Sequence, residues 1–151
     1  MEEADAQVYE KYADELIRFA TALAGPDLAE DVLADAILRV FSSEAWRDVR
    51  NRRAYLYRAV LNEATQAQRS IARRLRREEI AAASSASLSS PDRRELLDAL
   101  RRLTVRQRAV VYLTYWMGLD ASQTARGLDV SVRTVERELT AARRRLEVLL
   151  R

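Results

Sequence analysis

Apolar residues recur at spacings of three and four along most of this 151-residue chain, which is the period of an α-helix and not of a strand. The first such stripe consists of Val8, Tyr12, Leu16, Phe19 and Leu23. Sheet-rich folds need many turns, yet the whole sequence contains three Gly and two Pro. The pattern therefore predicts an all-α fold.

Interruptions of this period predict two small helical domains joined by a flexible linker. Residues 1–79 form the first domain, with helices predicted over 5–24, 28–42 and 51–79, and with Asp27 as the N-cap of the second helix. Residues 80–91 are mostly Ala and Ser, which are too small to bury a core and are typical of a linker. Residues 92–151 form the second domain, with helical segments predicted over 92–103, 105–117, 121–127 and 132–150.

The net charge of +3 is distributed unevenly. Residues 1–35 carry ten acidic side chains against Lys11 and Arg18, whereas residues 50–77 carry nine Arg against Glu63 alone. Such a division indicates two surfaces with different partners, although solvated helix faces also carry charge runs. Arg outnumbers Lys by 25 to 1, and its planar guanidinium suits phosphate binding.

Several classes of function lack the residues they need. The chain contains no Cys and no His, which removes thiol nucleophiles, disulfides, imidazole bases and the usual zinc ligands. Neither a nucleophile–base pair nor a metal-binding cluster is apparent, so we expect no enzyme activity and no cofactor. No apolar run is long enough for a signal peptide or a membrane span, and we expect a cytoplasmic location without membrane insertion.

The pattern that points most directly to a function lies between residues 120 and 150. Asp120 can cap a short helix with Gln123 as its reciprocal partner, and Ser131 can cap the long helix that follows the turn at residues 128–130. A short helix, a tight turn and a longer helix make the helix-turn-helix pattern of DNA-binding proteins. An ordinary amphipathic helix would share the charged outer face, but the capped short helix and the turn favour DNA binding.

The long helix supplies the predicted contacts with double-stranded DNA. The first residues of a recognition helix meet base edges, where Arg can bond guanine and Glu can accept from cytosine N4. Arg residues further along are better placed for phosphates. The predicted contacts are Ser131, Arg133, Thr134, Glu136, Arg137, Arg143 and Arg144.

A second nucleic-acid pattern interleaves aromatic residues with arginine. It comprises Trp46, Arg52, Arg53, Tyr55, Tyr57 and Arg58. Aromatic rings stack on unpaired bases while guanidinium groups hold the backbone, so this pattern suits single-stranded nucleic acid. Burial of Tyr55 or Tyr57 in the core is the competing interpretation.

Taken together, these blocks resemble the extracytoplasmic-function (ECF) sigma factors of bacterial RNA polymerase, in the sigma-70 family. Residues 29–41 (AEDVLADAILRVF) are similar to the family signature AEDLVQETFLRAW, and residues 55–62 (YLYRAVLN) to WLYRIARN. Residues 100–113 (LRRLTVRQRAVVYL) resemble LxxLPxRxRxVxxL. Gly118-Leu119 and residues 128–135 resemble the blocks EGLS and LGISxGTV. The order and spacing of the blocks make the resemblance specific.

The resemblance implies a sigma factor that directs RNA polymerase to promoters. The C-terminal helix-turn-helix would bind the −35 element and contact the polymerase flap, and an anti-sigma factor would be a further partner. The second helix would dock the clamp helices of the largest polymerase subunit through Asp31, Asp35, Leu38 and Arg39. The melted −10 element would be captured by Trp46, Arg52, Arg53, Tyr55, Tyr57, Arg58, Asn62 and Arg69.

Some positions depart from the family pattern and keep two alternatives open. Ala34 replaces Gln, Thr104 replaces Pro, and Asp129 replaces the Gly of the turn. Glu136 and Glu138 stand where the family is commonly basic. The alternatives are a stand-alone helix-turn-helix regulator and a sigma-like protein-interaction adaptor.

Overall fold

The structure is a computed structural model that describes residues 3–78, residue 95 and residues 98–150. All regular elements within these residues are helical, which confirms the predicted all-α class. They are α1 (Glu3–Ala24), α2 (Pro26–Ser42), a 3₁₀ helix (Glu44–Asp48), α3 (Arg52–Glu78), α4 (Val105–Val111), a π-helical turn (Tyr112–Trp116), α5 (Ala121–Leu128) and α6 (Val132–Leu149). The predicted linker at 80–91 and the start of the segment predicted over 92–103 lie outside the described residues.

Helices α1, α2 and α3 pack around one apolar cluster. Leu16, Phe19 and Leu23 on α1 have no exposed surface, and Val60 on α3 has none either. Burial of one such side chain is worth about 1.5–3 kcal/mol, so this stripe holds the three helices together. The three α1 residues belong to the apolar stripe that the helical period predicts.

Helix ends follow local backbone chemistry. Helix α2 begins at Pro26 after Gly25, whose φ of +86° is unfavourable for side chains with a Cβ. Asp27 lies in the first turn and makes no side-chain cap, so the predicted Asp27 N-cap is wrong: Pro26 already sets the helical φ one residue earlier. Thr104 and Gln107 form a reciprocal capping pair at the start of α4. This cap allows Thr to start the helix at the position where the family pattern has Pro.

The second unit is formed by α4, α5 and α6. Helix α4 passes into a π-helical turn, in which the Met117 amide donates to the Tyr112 carbonyl at 3.1 Å. Gly118 ends this turn with a φ of +69°, in agreement with the predicted end of the helical segment at residue 117. Val110, Leu113 and Val135 join the apolar cluster and fix the three helices against one another.

The two units pack against each other directly. Phe19 of α1 lies 4.7 Å from the Tyr57 ring of α3 and 5.6 Å from the Tyr112 ring of the second unit, measured between ring centroids. Helices α1 and α3 both contact α4, and α3 also contacts α5. A single apolar cluster therefore runs through both units, which the sequence pattern did not predict. Among the described residues no helix is long and apolar enough to cross a membrane.

Replacing Leu16 tests the importance of this cluster. Leu16→Ala leaves a cavity at a side chain with no exposed surface, so we expect the free energy of unfolding to fall by about 2–5 kcal/mol. Leu38→Ala is the matched control, because Leu38 on α2 is 67% exposed and its loss should change stability by less than about 0.5 kcal/mol. Urea denaturation measures both, and equal losses would contradict this packing.

Candidate nucleic-acid interface

The helix-turn-helix is built by two side-chain caps and one left-handed residue. The Gln123 amide donates to Asp120 Oδ1 at 2.8 Å, and the Asp120 amide donates to Gln123 Oε1 at 2.9 Å, which confirms the predicted capping box. Asp129 then turns the chain with a φ of +54°. The Thr134 amide donates to Ser131 Oγ at 3.0 Å and starts α6. Together these contacts fix the angle between α5 and α6.

Helix α6 presents a basic strip on the side away from the core. Val135 and Ala142 are buried, whereas Arg133, Arg137 and Arg144 are exposed. At 3.6 residues per turn these three Arg side chains fall within about 40° of one another around the helix axis. The predicted contact residues therefore form one accessible face, led by the N-terminal turn of α6.

The remaining predicted contacts on α6 are divided between reading and structural positions. Ser131 and Thr134 bond each other, Oγ to Oγ1 at 2.9 Å, so both hydroxyls take part in the cap. Glu136 is exposed beside the basic strip, whereas Glu138 is half-buried on a different side of the helix. Arg143 Nε donates to the Tyr115 hydroxyl at 2.6 Å, which ties this guanidinium to the π-helical turn after α4.

The predicted single-strand surface is only partly exposed. Trp46 in the 3₁₀ helix is 3% exposed, and its Nε1 donates to Asp5 Oδ1 at 2.8 Å. Its ring is packed against Phe41 and Tyr55 and is covered by the Arg52 guanidinium at 4.9 Å. As placed, Trp46 offers no face to a base, and its contacts tie the segment between α2 and α3 to α1.

Tyr57 and Arg53 are held by their neighbours on α1. Tyr57 is 5% exposed against Phe19, and its Oη has no hydrogen-bond partner among the described residues. Burial raises the pKa of the Tyr57 phenol to about 12, and the Glu15 carboxylate acts in the same direction. Arg53 Nε and Nη2 donate to the two Glu15 oxygens at 2.7 and 3.0 Å, a bidentate pair that raises the pKa of Arg53.

Other members of the predicted set remain accessible on α3. Tyr55 is half-buried, with the Arg58 guanidinium 5.4 Å from its ring centroid. Asn62 and Arg69 are exposed further along the helix. Arg58 itself forms an ion pair with Asp129 of the helix-turn-helix turn, with Nη1 3.0 Å from Oδ2.

The predicted polymerase-docking face lies on α2. Asp31, Asp35 and Leu38 are exposed at helical spacing, and the Leu38 side chain leaves 67% of its surface open. Arg39 is exposed, and its guanidinium forms an ion pair with the buried Glu63 of α3, with Nε 2.9 Å from Oε1. The four residues therefore form one face that combines charge with an exposed apolar side chain.

Sequence reasoning missed the acidic residues that position the predicted single-strand surface. Asp5 holds Trp46, Glu15 holds Arg53, and Asp129 holds Arg58. Asp5 and Glu15 lie in phase with the apolar stripe of α1, three residues before Val8 and three after Tyr12. An acid in phase with a buried stripe needs a buried or half-buried partner, and this was the signal available.

An all-α chain with a capped helix-turn-helix and a basic aromatic helix defines a DNA-binding transcription protein. Residues 93–146 match the family Sigma-70, region 4. The RNA polymerase sigma-E factor of Streptomyces avermitilis is 33% identical over 144 residues, covering 88% of this chain and 77% of that protein. That of Streptomyces coelicolor is also 33% identical, covering 88% and 78%. The chain belongs to the RNA polymerase sigma factor family, whose members direct the polymerase to promoters.

Solved structures share this fold. The sigma factor RpoE from Bartonella quintana, in complex with the anti-sigma factor NepR, aligns with a TM-score of 0.70 at 23% identity, covering 96% of this chain and 95% of that chain. CnrH, in complex with the cytosolic domain of CnrY, aligns with a TM-score of 0.63 at 23% identity, covering 97% and 87%. Both alignments extend over α1–α3 as well as the helix-turn-helix unit.

Replacing Tyr57 tests its burial through pH. The pKa of a tyrosine is about 10 in the unfolded chain, whereas the pKa of Tyr57 is raised to about 12 in the folded protein. The contribution of Tyr57 to stability is therefore complete below pH 10 and is lost as pH rises through 12. The unmodified chain should lose stability faster than Tyr57→Phe between these values, by at most about 1.4 kcal/mol per pH unit. Urea denaturation across this range measures the difference, with Tyr55→Phe as control. Parallel curves for all three proteins would contradict the burial.

Proposed function

We propose that this sigma factor binds the −35 element through α6 and captures the melted −10 strand on α3. The observation that carries the proposal is the pairing of an exposed, doubly capped recognition helix with a separate basic aromatic helix in one chain. One surface suits the major groove of a duplex, and the other suits unpaired bases. The chain is then a binding and strand-opening subunit rather than an enzyme, and it works where the polymerase works, in the cytoplasm.

At the −35 element, Arg133 and Arg137 are proposed to meet base edges. Both side chains are exposed on the first turns of α6, where a recognition helix enters the major groove. Arg144 continues the strip and is placed for a phosphate, which gives affinity rather than sequence choice. Glu136, beside them, can accept from a cytosine amino group and disfavours a phosphate at that position.

At the −10 element, Tyr55, Arg58, Asn62 and Arg69 are proposed to hold the unpaired strand. Tyr55 presents a half-buried ring beside a guanidinium, and Asn62 and Arg69 extend the surface along α3. Trp46, Arg52 and Arg53 act by holding the preceding segment in place, since each is already engaged by a neighbour. Tyr57 supports α3 from within the core.

Two further surfaces are proposed to bind core RNA polymerase. The α2 face with Asp31, Asp35, Leu38 and Arg39 docks the clamp helices of the largest subunit. The flap is proposed to contact Tyr115 and Trp116, which are 59% and 76% exposed in the π-helical turn after α4. Exposed aromatic side chains of this size are typical of protein interfaces.

The domain division at residues 80–91 also belongs to this proposal. A slack connection between 1–79 and 92–151 would let the two DNA-binding units reach elements that are separated along the promoter, and tethering raises the effective concentration of each. An anti-sigma factor is the proposed negative regulator, because the structural neighbour RpoE was solved with such a partner.

Two measurements separate this function from the alternatives. Sequencing of transcripts initiated in vitro by core polymerase plus this chain would show promoter-specific starts for a sigma factor. A gel shift on duplex DNA without polymerase would instead show tight binding for a stand-alone regulator. An adaptor that does not read DNA would leave both experiments without a sequence-specific product.

Replacing the two Arg residues tests the recognition helix. We expect Arg133→Ala with Arg137→Ala to reduce promoter-specific transcription at least about tenfold, because each Arg–base contact carries about 1–3 kcal/mol of discrimination. In vitro transcription with core polymerase measures this. Arg145→Ala, an exposed Arg on the same helix outside the proposed contacts, is the control. Unchanged promoter-specific transcription in the double variant would contradict base contacts through Arg133 and Arg137.

A charge placed at Leu38 tests polymerase docking. We expect Leu38→Glu to weaken binding to core polymerase about tenfold or more, because a buried apolar contact would be replaced by an unpaired charge. Val148→Glu is the matched control, since Val148 and Leu38 are both 67% exposed but lie on different units. Fluorescence titration with core polymerase measures both affinities, and equal losses would contradict docking through α2.

A further inference from the structure

The turn of the helix-turn-helix lies against the basic aromatic face of α3. Arg58 Nη1 is 3.0 Å from Asp129 Oδ2, and the same guanidinium lies 5.4 Å from the centroid of the Tyr55 ring. A single strand bound here would stack a base on such a ring and place a phosphate near such a guanidinium. The Asp129 carboxylate therefore occupies a position that suits a phosphate of the strand.

We propose that Asp129 is an internal competitor for nucleic acid on α3 and that it holds the chain in a closed, autoinhibited arrangement. This inference rests on the proposed function of α3 as the −10 surface. Closure brings the second unit over the start of α3, and the strand can bind only after the Arg58–Asp129 pair separates. Arg58 then has two alternative partners, a carboxylate in the closed chain and a phosphate in the open one.

The closed arrangement blocks the Arg58 part of the α3 surface and leaves the other surfaces accessible. Asp31, Asp35 and Leu38 on α2 stay exposed, as do Arg133 and Arg137 on α6. A closed chain can therefore meet the polymerase clamp or a −35 duplex before its single-strand surface is available. This order would prevent the free chain from binding unrelated single strands.

The closed interface is also imperfect, which favours its opening. A cavity of about 260 Å³ lies between the two units, lined by Arg53 and Tyr57 on one side and by Leu113, Met117 and Arg126 on the other. Tyr57 Oη and Arg58 Nε are buried without a hydrogen-bond partner among the described residues. Opening would give both polar atoms access to water, so binding to polymerase need supply only part of the free energy.

The identity of residue 129 supplies the carboxylate on which this device depends. Asp129 adopts a left-handed φ of +54°, and its position holds Gly in the family pattern that the sequence resembles. Gly would adopt this φ without strain but would provide no carboxylate. Asp accepts the strain better than most residues and adds the charge that reaches Arg58.

Asp129→Asn removes the charge and keeps a side chain that tolerates the left-handed conformation. Asp98→Asn is the matched control, because Asp98 pairs with Arg101 three residues along the same helical segment and lies outside the interface. Asp129→Gly separates the charge from backbone strain. Because the chain has no Cys, Glu10→Cys and Glu147→Cys allow spin labels on the two units of the full-length protein.

Two readouts on these proteins test the proposal. Electron–electron double resonance should show a larger population of long distances between the labels in Asp129→Asn and Asp129→Gly than in Asp98→Asn. Affinity for a fluorescein-labelled, random-sequence DNA single strand of about a dozen nucleotides should rise about two- to fivefold, the range expected from loss of one exposed ion pair.

Unchanged distances in both Asp129 variants would overturn the closure, and longer distances with unchanged single-strand affinity would overturn the masking of α3. An increase in Asp129→Gly alone would also overturn the proposal, since it would assign the effect to the backbone. Promoter-specific transcription by polymerase with the unmodified chain tests the proposed function separately. If transcription fails while both readouts shift, Asp129 still masks a single-strand surface on α3, and the assignment of that surface to the −10 element is what fails.

Discussion

The burial of Phe19 is the contact on which the rest of the structure depends. Its ring has no exposed surface and meets Tyr57 of α3 and Tyr112 of the second unit. Because Phe19 contributes to both contacts, the same apolar cluster that holds α1 to α3 also holds the helix-turn-helix unit against them. Tilted aromatic contacts of this kind add about 0.5–1.5 kcal/mol each beyond the area they bury. The placement of the helix-turn-helix unit against α3 therefore depends on the cluster around this ring.

Charge then decides which surfaces are available for partners. Glu15 binds Arg53 in a bidentate pair, and Asp129 binds Arg58, so two arginines of the basic helix are engaged within the chain. Arg133 and Arg137 on α6 are exposed, and so are Asp31 and Asp35 on α2. A sigma factor needs to contact a polymerase and two promoter elements, and the three surfaces proposed for these contacts differ in how many of their charged side chains are already paired. The pairing arises from individual acidic residues, Glu15 and Asp129, and the net charge of the chain does not show which arginines they bind.

Local signals predicted the helix-turn-helix well. The capping box at Asp120, the cap at Ser131 and the stop at Gly118 all depend on residues within a few positions of each other, so their geometry can be inferred from spacing. The same reasoning failed at Asp27, where Pro26 started the helix one residue earlier. It also placed Trp46 on a single-strand surface, because sequence spacing cannot show that Asp5, 41 residues away, accepts a hydrogen bond from the indole.

The sequence by itself determined the all-α class, the stripe of α1, the capped recognition helix and the family resemblance, since each depends on helical period or on short motifs. Only the tertiary structure decided which aromatic residues are buried, which arginines are already paired and how the two units meet. The physical reason is that a helical period shows which side of a helix is apolar but not which helix that side will contact. For Arg58 the partner is Asp129, 71 positions further along the chain, and the two residues meet because one apolar cluster packs the two units together.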